Sequence, residues 1–206
     1  MKRQIYILIL SLVALTSVAQ TPQERQAIQQ VSRAAAAIKT MQADFVQTKH
    51  LRMLGDKMVS RGRMCYQQSD RLRWEYTKPY AYTLILNGNS VMMSKGGHRD
   101  VVDVNRNKVF REIAQMMMSS VVGTCLTDSK RFKVSMTVDK QTCTATLLPQ
   151  KKDVKAMFTR IVLVFNRKTA VVSKVIMYEK NGDRTEITLD NVRIGAAVSP
   201  TEFTIK

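Results

Sequence analysis

The sequence of 206 residues is poor in cysteine, in acidic residues and in long apolar runs. Its three cysteines are too few and too scattered to build a disulfide scaffold, although one bridge, between Cys125 and Cys143, is expected, with Cys65 buried as a thiol. Sixteen acidic residues against 33 lysines and arginines leave a net charge of +17. Beyond the first twenty residues no apolar run reaches the about 20 residues that span a bilayer, so we expect a soluble protein.

The sequence also lacks the motifs of common enzymes and metal sites. It has no Gly-x-Ser-x-Gly elbow and no glycine-rich phosphate loop, and its histidines, His50 and His98, have no CxxC or HExxH companion. Ser94 and Asp100 stand near His98, but residues so close in sequence rarely form a catalytic triad. We therefore predict a protein that is not an enzyme and binds neither a cofactor nor a metal.

The first nineteen residues have the pattern of a secretory signal peptide. Lys2 and Arg3 precede an apolar run, and small residues follow it. Cleavage there predicts an exported protein with one domain, residues 20–206, and no lipid anchor, since no cysteine follows the cleavage site. Loss of Lys2 and Arg3 lowers the net charge from +17 to +15.

A net charge this basic predicts an electrostatic partner. For an exported protein, anionic lipid headgroups and acidic proteins are the expected partners. The basic residues alternate along strands instead of clustering, and aromatic residues are not interleaved with them for base stacking, so no nucleic-acid partner is predicted.

One helix is predicted at the start of the mature chain. Thr21 at the N-cap, Pro22 at the first helical position and Glu24 three residues after the cap predict its beginning, and apolar residues at three- and four-residue steps carry it to about Thr40. A second helical pattern lies in residues 107–125, which we call the central segment. Gly123 ends its helical run.

The rest of the sequence has a period of two, which predicts antiparallel strands joined by short turns. The predicted fold is mainly β with α, a curved antiparallel sheet or incomplete barrel that holds the N-terminal helix and the central helical segment. The strands are predicted at Ala43–Lys49, Val59–Gln67, Arg71–Thr77, Ala81–Asn87, Ser90–Ser94, Lys133–Val138, Thr142–Leu148, Thr159–Asn166, Val171–Lys180, Arg184–Ile194 and Glu202–Ile205.

Alternation along the strands predicts one apolar face. In residues 71–76 the charged side chains of Arg71, Arg73 and Glu75 alternate with large apolar ones, so the charged residues should meet water. The apolar face is either an ordinary core sealed by helices or the wall of a cavity for an apolar ligand; thirteen methionines favour the cavity, because thioethers repack around varied ligands. We call its predicted residues the apolar wall: Phe45, Met64, Leu72, Trp74, Tyr76, Tyr82, Leu84, Leu86 and Met92.

Several motifs in sequence order resemble the periplasmic outer-membrane lipoprotein carrier (LolA) family. They are ADFVQT at residues 43–48, then GRMCYQQSDRLRWEYTKPYAYTLILNGNSVMM from Gly62, LLPQKK from Leu147, and SPTEFTIK at the end. Each motif alone is weak, but their shared order and spacing extend through nearly the whole mature chain.

The resemblance implies a function as well as a fold. An incomplete barrel with central lid helices would shield the acyl chains of lipoproteins, take them from an inner-membrane release ABC transporter and pass them to an outer-membrane acceptor or membrane surface. A monomer is expected. The alternative is a LolA-like carrier or sensor of another lipid or apolar product. The lid residues implied are Phe110, Ile113, Met116 and Met117.

One position departs from the family. Members have an arginine between the glycine-started strand and the tryptophan strand, and its hydrogen bonds help hold the lid. By spacing from Gly62 and Trp74, that position is Gln68 here. Arg71 and Arg73 are candidate substitutes, but the alternation places both on the solvent face.

Overall fold

The structure, a computed structural model, describes residues 20–68, 70–106, 112, 115, 116, 118, 119 and 123–205. The predicted signal peptide, residues 1–19, lies outside the described residues. Helix α1 spans Pro22–Ala36 and begins as predicted, because the Thr21 hydroxyl accepts from the Glu24 backbone while the Glu24 carboxylate accepts from the Thr21 backbone. It ends four residues before the predicted Thr40, which instead begins the first strand.

Within the described residues, eleven strands form one antiparallel sheet that is not closed into a barrel, which confirms the predicted class. The order is β6-β5-β4-β3-β2-β1-β11-β10-β9-β8-β7, so every sequential pair except β6 and β7 is adjacent and the first strand meets the last. The strands are β1 Thr40–Leu51, β2 Asp56–Gln67, β3 Arg71–Lys78, β4 Tyr82–Asn87, β5 Ser90–Lys95, β6 His98–Asp103, β7 Phe132–Val138, β8 Thr142–Pro149, β9 Phe158–Asn166, β10 Val172–Glu179 and β11 Arg184–Ile194.

Strand β6 and a short helix, α2 at Lys152–Met157, were not predicted from the sequence. The predicted strand at Glu202–Ile205 is wrong, because Pro200–Phe203 forms a 3-10 turn whose backbone joins no strand. Pro200 cannot donate to a sheet ladder, and the Ser199 hydroxyl caps the turn by accepting from the Thr201 backbone.

The main core lies on one face of the sheet, the inner face. Helix α1 covers part of it, packing against β7 and the 3-10 turn Thr124–Thr127 with Ile28 and Val31 buried. The start of this helix and the residue Gln20 just before it protect the edge strand β7. Gln20 Nε2 donates to the Val134 carbonyl, and Glu24 Oε1 accepts from the Met136 backbone. Edge backbone groups that would otherwise recruit another strand are thereby occupied.

The outer face is partly covered by the C-terminal segment, residues 198–205. This cover corrects the expectation that Arg73 and Glu75 meet water freely. Phe203 is 1% exposed and packs with Cys65, Ile85 and Met92 on this face. Arg73 Nε lies 2.9 Å from Glu75 Oε2 and 3.4 Å from Glu202 Oε2. Burial opposes the shift, but the contacts with Arg73 and Arg63 hold the pKa of Glu75 below its ordinary value.

No disulfide bond joins the cysteines, so the predicted bridge between Cys125 and Cys143 is wrong. All three cysteines are buried, Cys125 and Cys143 within the main core and Cys65 under the C-terminal segment. Burial raises the pKa of the Cys65 and Cys143 thiols, which disfavours the reactive thiolate. They therefore act as small apolar residues.

Gly62 allows three strands to share one aromatic cluster. It pairs with Phe45 on β1 and with Tyr76 on β3. A Cβ at this position would lie 1.9 Å from the Glu75 carbonyl oxygen and 2.6 Å from Phe45 Cζ. The Phe45 ring therefore occupies the space that any side chain at residue 62 would need.

Replacing Gly62 with alanine should destabilise the protein by about 2 kcal/mol or more, because the close contact is with backbone and β3 must shift. The measurement is the urea midpoint and slope followed by circular dichroism. Ser60→Ala on the same strand is the matched control. A Gly62→Ala protein as stable as the control would contradict the close packing described.

Candidate functional site

The centre of the inner face is a cluster of aromatic rings. Phe45 stacks on Trp74 with centroids 4.2 Å apart and meets Tyr76 edge-on at 5.2 Å. Tyr76 continues to Tyr82, whose ring centroid is 5.9 Å away, and its hydroxyl donates to Gln47 Oε1 at 2.9 Å. The rings form a continuous apolar surface across β1, β3 and β4.

Burial varies along the apolar wall. Phe45, Met64, Leu72, Trp74 and Leu86 are buried, whereas Tyr76, Tyr82 and Leu84 are only partly covered. The wall is therefore sealed in the middle of the sheet and more open towards the β3–β4 turn. Burial raises the pKa of Tyr76 and Tyr82, so both hydroxyls are neutral around neutral pH.

Met92 does not belong to the apolar wall, which corrects that prediction. It pairs with Val101 and with Ile85, and it packs on the outer face beneath Phe203. The neighbouring Met93 pairs with Leu84 and packs against the main core instead. With two methionines in succession, the alternation of the strand places one on each face.

The described part of the central segment packs against the same core. Met116 is 7% exposed and belongs to one cluster with Leu72 and Trp74, and Met118 is partly buried against it. Of the other predicted lid residues, Phe110, Ile113 and Met117 lie outside the described residues. Met116 therefore occupies apolar volume that an incoming ligand could use.

A cavity of 620 Å³ lies between the described part of the central segment and the ends of β2 and β4, and Leu86 is the one residue of the apolar wall that lines it. Its apolar lining also includes Tyr66, Val104 and Met118, and its polar lining includes Arg131 together with the acidic Asp70 and Asp128. Volumes of this size are typical of small-ligand sites. The cavity meets the wall at Leu86, so a chain entering here would lie against apolar side chains and against polar groups of both charges.

A cluster of charged side chains fixes the central segment at the edge of this cavity. Glu112 is 4% exposed, and its two oxygens face different cations, with Arg131 Nη2 3.5 Å away and Lys151 Nζ 3.1 Å away. Arg131 also contacts Gln115 and lies 3.4 Å from Asp128. A buried carboxylate needs such partners, because desolvation of an unpaired charge costs several kcal/mol.

The contacts of Arg131 and Lys151 were not foreseen from the sequence. No local pattern signals them, because Glu112 and Lys151 are far apart in sequence and no periodicity connects them. Gln68, at the position of the family arginine, is exposed, and its backbone N–H donates to the Lys39 carbonyl at 2.7 Å. Arg71 contacts Gln67 and Arg73 lies on the outer face, so among the described residues the cations that hold the central segment are Arg131 and Lys151.

The described residues contain no group of three or more His, Cys, Asp or Glu side chains arranged to hold a metal ion. His98 and Asp100 lie 3.2 Å apart, but their side chains are 79% and 62% exposed on the edge strand β6. The site offers apolar surface beside a polar corner, where Arg131 is paired with Glu112 and Asp128. Ligand pockets commonly combine apolar lining with a few polar groups in this way.

Arg131→Gln should lower the free energy of unfolding by about 3 kcal/mol, because the buried Glu112 carboxylate then keeps only the partly exposed Lys151 as a cationic partner. The double variant Arg131→Gln with Glu112→Gln should lose less free energy of unfolding than the two single variants lose together, because it leaves no uncompensated charge at residue 112. Urea titrations measure both. Lys130→Gln, next in sequence and exposed, is the control, and additive losses in the double variant would contradict the pairing.

Comparison with known sequences identifies a protein family that matches most of this chain. Residues 36–206 match the model of the family described as outer membrane lipoprotein carrier protein LolA. An outer-membrane lipoprotein carrier protein of Chromobacterium violaceum is 25% identical over 185 residues, which cover 88% of this chain and 84% of that protein. In the part of the chain that the structure describes, no helix is long and apolar enough to cross a membrane.

Solved structures share the fold at low identity. A DUF1329 family protein from Desulfovibrio piger has a TM-score of 0.50 and 13% identity, covering 89% of this chain and 98% of that one. MucB in its complex with MucA from Pseudomonas aeruginosa has a TM-score of 0.53 and 11% identity, covering 88% of this chain and 60% of that one. With the match to residues 36–206, the chain belongs to the LolA family of outer-membrane lipoprotein carrier proteins.

Proposed function

We propose that this protein carries lipoproteins through the periplasm, with their acyl chains held between the apolar wall and the central segment. The observation that carries the proposal is the packing of Met116 in one cluster with Leu72 and Trp74. The same apolar surface can be covered either by the protein's own methionines or by an acyl chain. Membership of a family of carrier proteins supports this use of the surface.

Competition between the central segment and the cargo makes release feasible. Each buried CH₂ contributes roughly 0.8 kcal/mol, so several acyl chains in an otherwise empty cavity would bind too tightly to be passed on. When Met116 and Met118 return to the wall, they recover part of that burial. The contacts of Glu112 with Arg131 and Lys151 set how strongly the empty state is favoured.

The proposed partners follow from this cycle. An inner-membrane release ABC transporter would load the protein, and an outer-membrane acceptor or the membrane surface would receive the cargo. Cleavage of residues 1–19 on export would place the mature protein in the periplasm. The exchange needs no cofactor and no covalent chemistry, because all the work is burial and exposure of apolar surface.

Leu84→Asp should reduce the amount of acylated lipoprotein that co-purifies with the protein at least tenfold. Loading would require the carboxylate to be desolvated against acyl chains. Thr83→Asp is the matched control, because residue 83 points to the opposite face of the same strand and pairs with Glu75. Native mass spectrometry of protein purified from its own cell measures the bound species.

Equal loading of the Leu84→Asp and Thr83→Asp proteins would contradict the use of the apolar wall. A small apolar product in place of an acylated peptide would favour the alternative, a carrier or sensor of another lipid.

Met116→Asp tests the central segment in the same way, and unchanged loading would exclude the exchange between methionines and cargo.

Depletion of the protein should cause lipoproteins destined for the outer membrane to accumulate in the inner membrane, because their acyl chains would lack a carrier across the aqueous space. Separation of the two membranes on a density gradient, followed by immunoblotting, measures the distribution. Restoration by the Thr83→Asp protein but not by the Leu84→Asp protein is expected. An unchanged distribution after depletion would contradict transport.

A further inference from the structure

The hairpin of β1 and β2 extends past the end of β3 on one side, whereas on its other side β1 pairs with β11 as far as His50 opposite Arg184. Strand β2 pairs with β1 as far as Leu51 opposite Asp56, but it pairs with β3 only from Arg61 opposite Lys78 onwards. Residues 56–60 therefore have one neighbouring strand instead of two. At about 3.3 Å per residue, the hairpin extends roughly 16 Å past the end of β3.

The tip of this hairpin carries apolar side chains in water. Met53 is 94% exposed and Leu54 is 74% exposed, and Met58 and Val59 behind them are 55% and 44% exposed. These are four of the eight large apolar residues that are exposed in the described part of the chain, so the exposure is concentrated at one place. Apolar surface concentrated in this way marks an interaction site.

The hairpin tip is held in place and does not fold back on the sheet. The Arg52 backbone N–H donates to Asp183 Oδ1 at 3.0 Å, in the turn between β10 and β11. The Arg52 side chain lies over Gly182, where a Cβ would come 2.6 Å from Arg52 Cδ. A tip ordered before binding loses less entropy on contact with a partner.

The charge around the tip is positive. Within residues 51–61, Arg52, Lys57 and Arg61 are exposed and Asp56 is the only acidic residue, while Asp183 of the neighbouring turn lies beside Lys49. Lys49 is excluded from this balance, because it lies 3.2 Å from Glu179 and 3.8 Å from Asp183. The tip thus combines protruding apolar side chains with cations, as the membrane-facing parts of peripheral proteins do.

The neighbouring turn adds an aromatic residue at the same end of the sheet. Tyr80 is 76% exposed in the turn between β3 and β4, which follows directly after the pair Arg61 and Lys78. Tyrosine side chains are enriched at the headgroup level of membranes. Lys78 and Tyr80 therefore add a cation and an aromatic side chain at the same end of the sheet, set back from the hairpin tip.

We propose that the β1–β2 tip, residues 51–59, docks the protein on an anionic lipid surface. Pairing of the open edge of β2 with a second copy of the chain is the less favourable use, because it would bring two cationic tips together. An anionic membrane supplies the opposite charge as well as apolar depth for Met53 and Leu54. The purpose of docking rests on the proposed carrier function, but the docking itself needs no cargo.

The test is binding of the purified, cargo-free protein, expressed from the full sequence, to vesicles of phosphatidylglycerol with phosphatidylethanolamine, measured by flotation. Vesicles of phosphatidylcholine are the neutral reference. The double variant Met53→Ser with Leu54→Ser should lower the partition coefficient at least tenfold, since burial of either side chain is worth about tenfold or more. Ile194→Ser is the matched control, because Ile194 is 47% exposed at the opposite end of the sheet.

Charge is tested separately. Lys57→Gln with Arg61→Gln should lower binding to the anionic vesicles about 25-fold at low salt, at about fivefold for each cation near the surface. The effect should shrink as salt is added. Lys140→Gln, an exposed cation in the turn between β7 and β8 at the other end of the sheet, should leave binding unchanged.

Docking by the tip is overturned if the Met53→Ser/Leu54→Ser protein binds anionic vesicles as well as the Ile194→Ser protein does, or if the unmodified protein binds none. A dimer in sedimentation equilibrium that this double variant abolishes, without vesicle binding, would identify a second copy as the occupant. Lipoprotein loading measured on the same proteins separates the two proposals. Vesicle binding by a protein that never loads lipoprotein would overturn the carrier function and leave the docking intact.

Discussion

The contact of Phe45 with Trp74 over Gly62 determines how the first three strands of the sheet pack together. Strands β1 and β3 are not neighbours, and their axes are separated by about 9.6 Å, twice the usual strand spacing. Their rings can stack at 4.2 Å only because the residue between them has no side chain. The stacking of the two rings joins β1, β2 and β3 into one apolar surface and determines the face on which the core forms.

Once that face is fixed, the two sides of the sheet take different roles. The inner side is covered by α1 and by the described part of the central segment. The central segment is held by the ion pairs of the buried Glu112 and lies next to a cavity. The outer side is covered near β3 by the C-terminal segment through Phe203 and Glu202. Helix α1 and the C-terminal segment complete the fold, whereas the central segment lies where exchange with a ligand is feasible.

Local patterns in the sequence predict much of this architecture. The capping box at Thr21 and the alternation of Leu72, Trp74 and Tyr76 were correctly interpreted, because each depends on neighbours in the chain. Met92 was assigned to the wrong face, since consecutive methionines satisfy either phase of the alternation. Cover of the outer face by Phe203 could not be foreseen, because it depends on contacts between distant parts of the chain.

The same distinction applies to the candidate site. The apolar wall follows from periodicity, but the pairing of Glu112 with Arg131 and Lys151 has no sequence signature and appears only in three dimensions. The projecting hairpin was missed because the predicted strands ended at Lys49 and began again at Val59, which left Met53 and Leu54 in an ordinary loop. The length of paired strands depends on their partners more than on their own residues.

If acyl chains lie against the wall that contains Trp74, as proposed, the tryptophan itself is a direct probe of their position. Trp74 is the only tryptophan of the chain, so its fluorescence reports one place. The measurement is a titration with a lipopeptide whose acyl chains carry bromine, a contact quencher, compared with the same lipopeptide without bromine. Loading with the brominated chains should quench Trp74 strongly, because the bromine atoms would touch its ring, and stoichiometric loading without quenching would show that the acyl chains lie elsewhere.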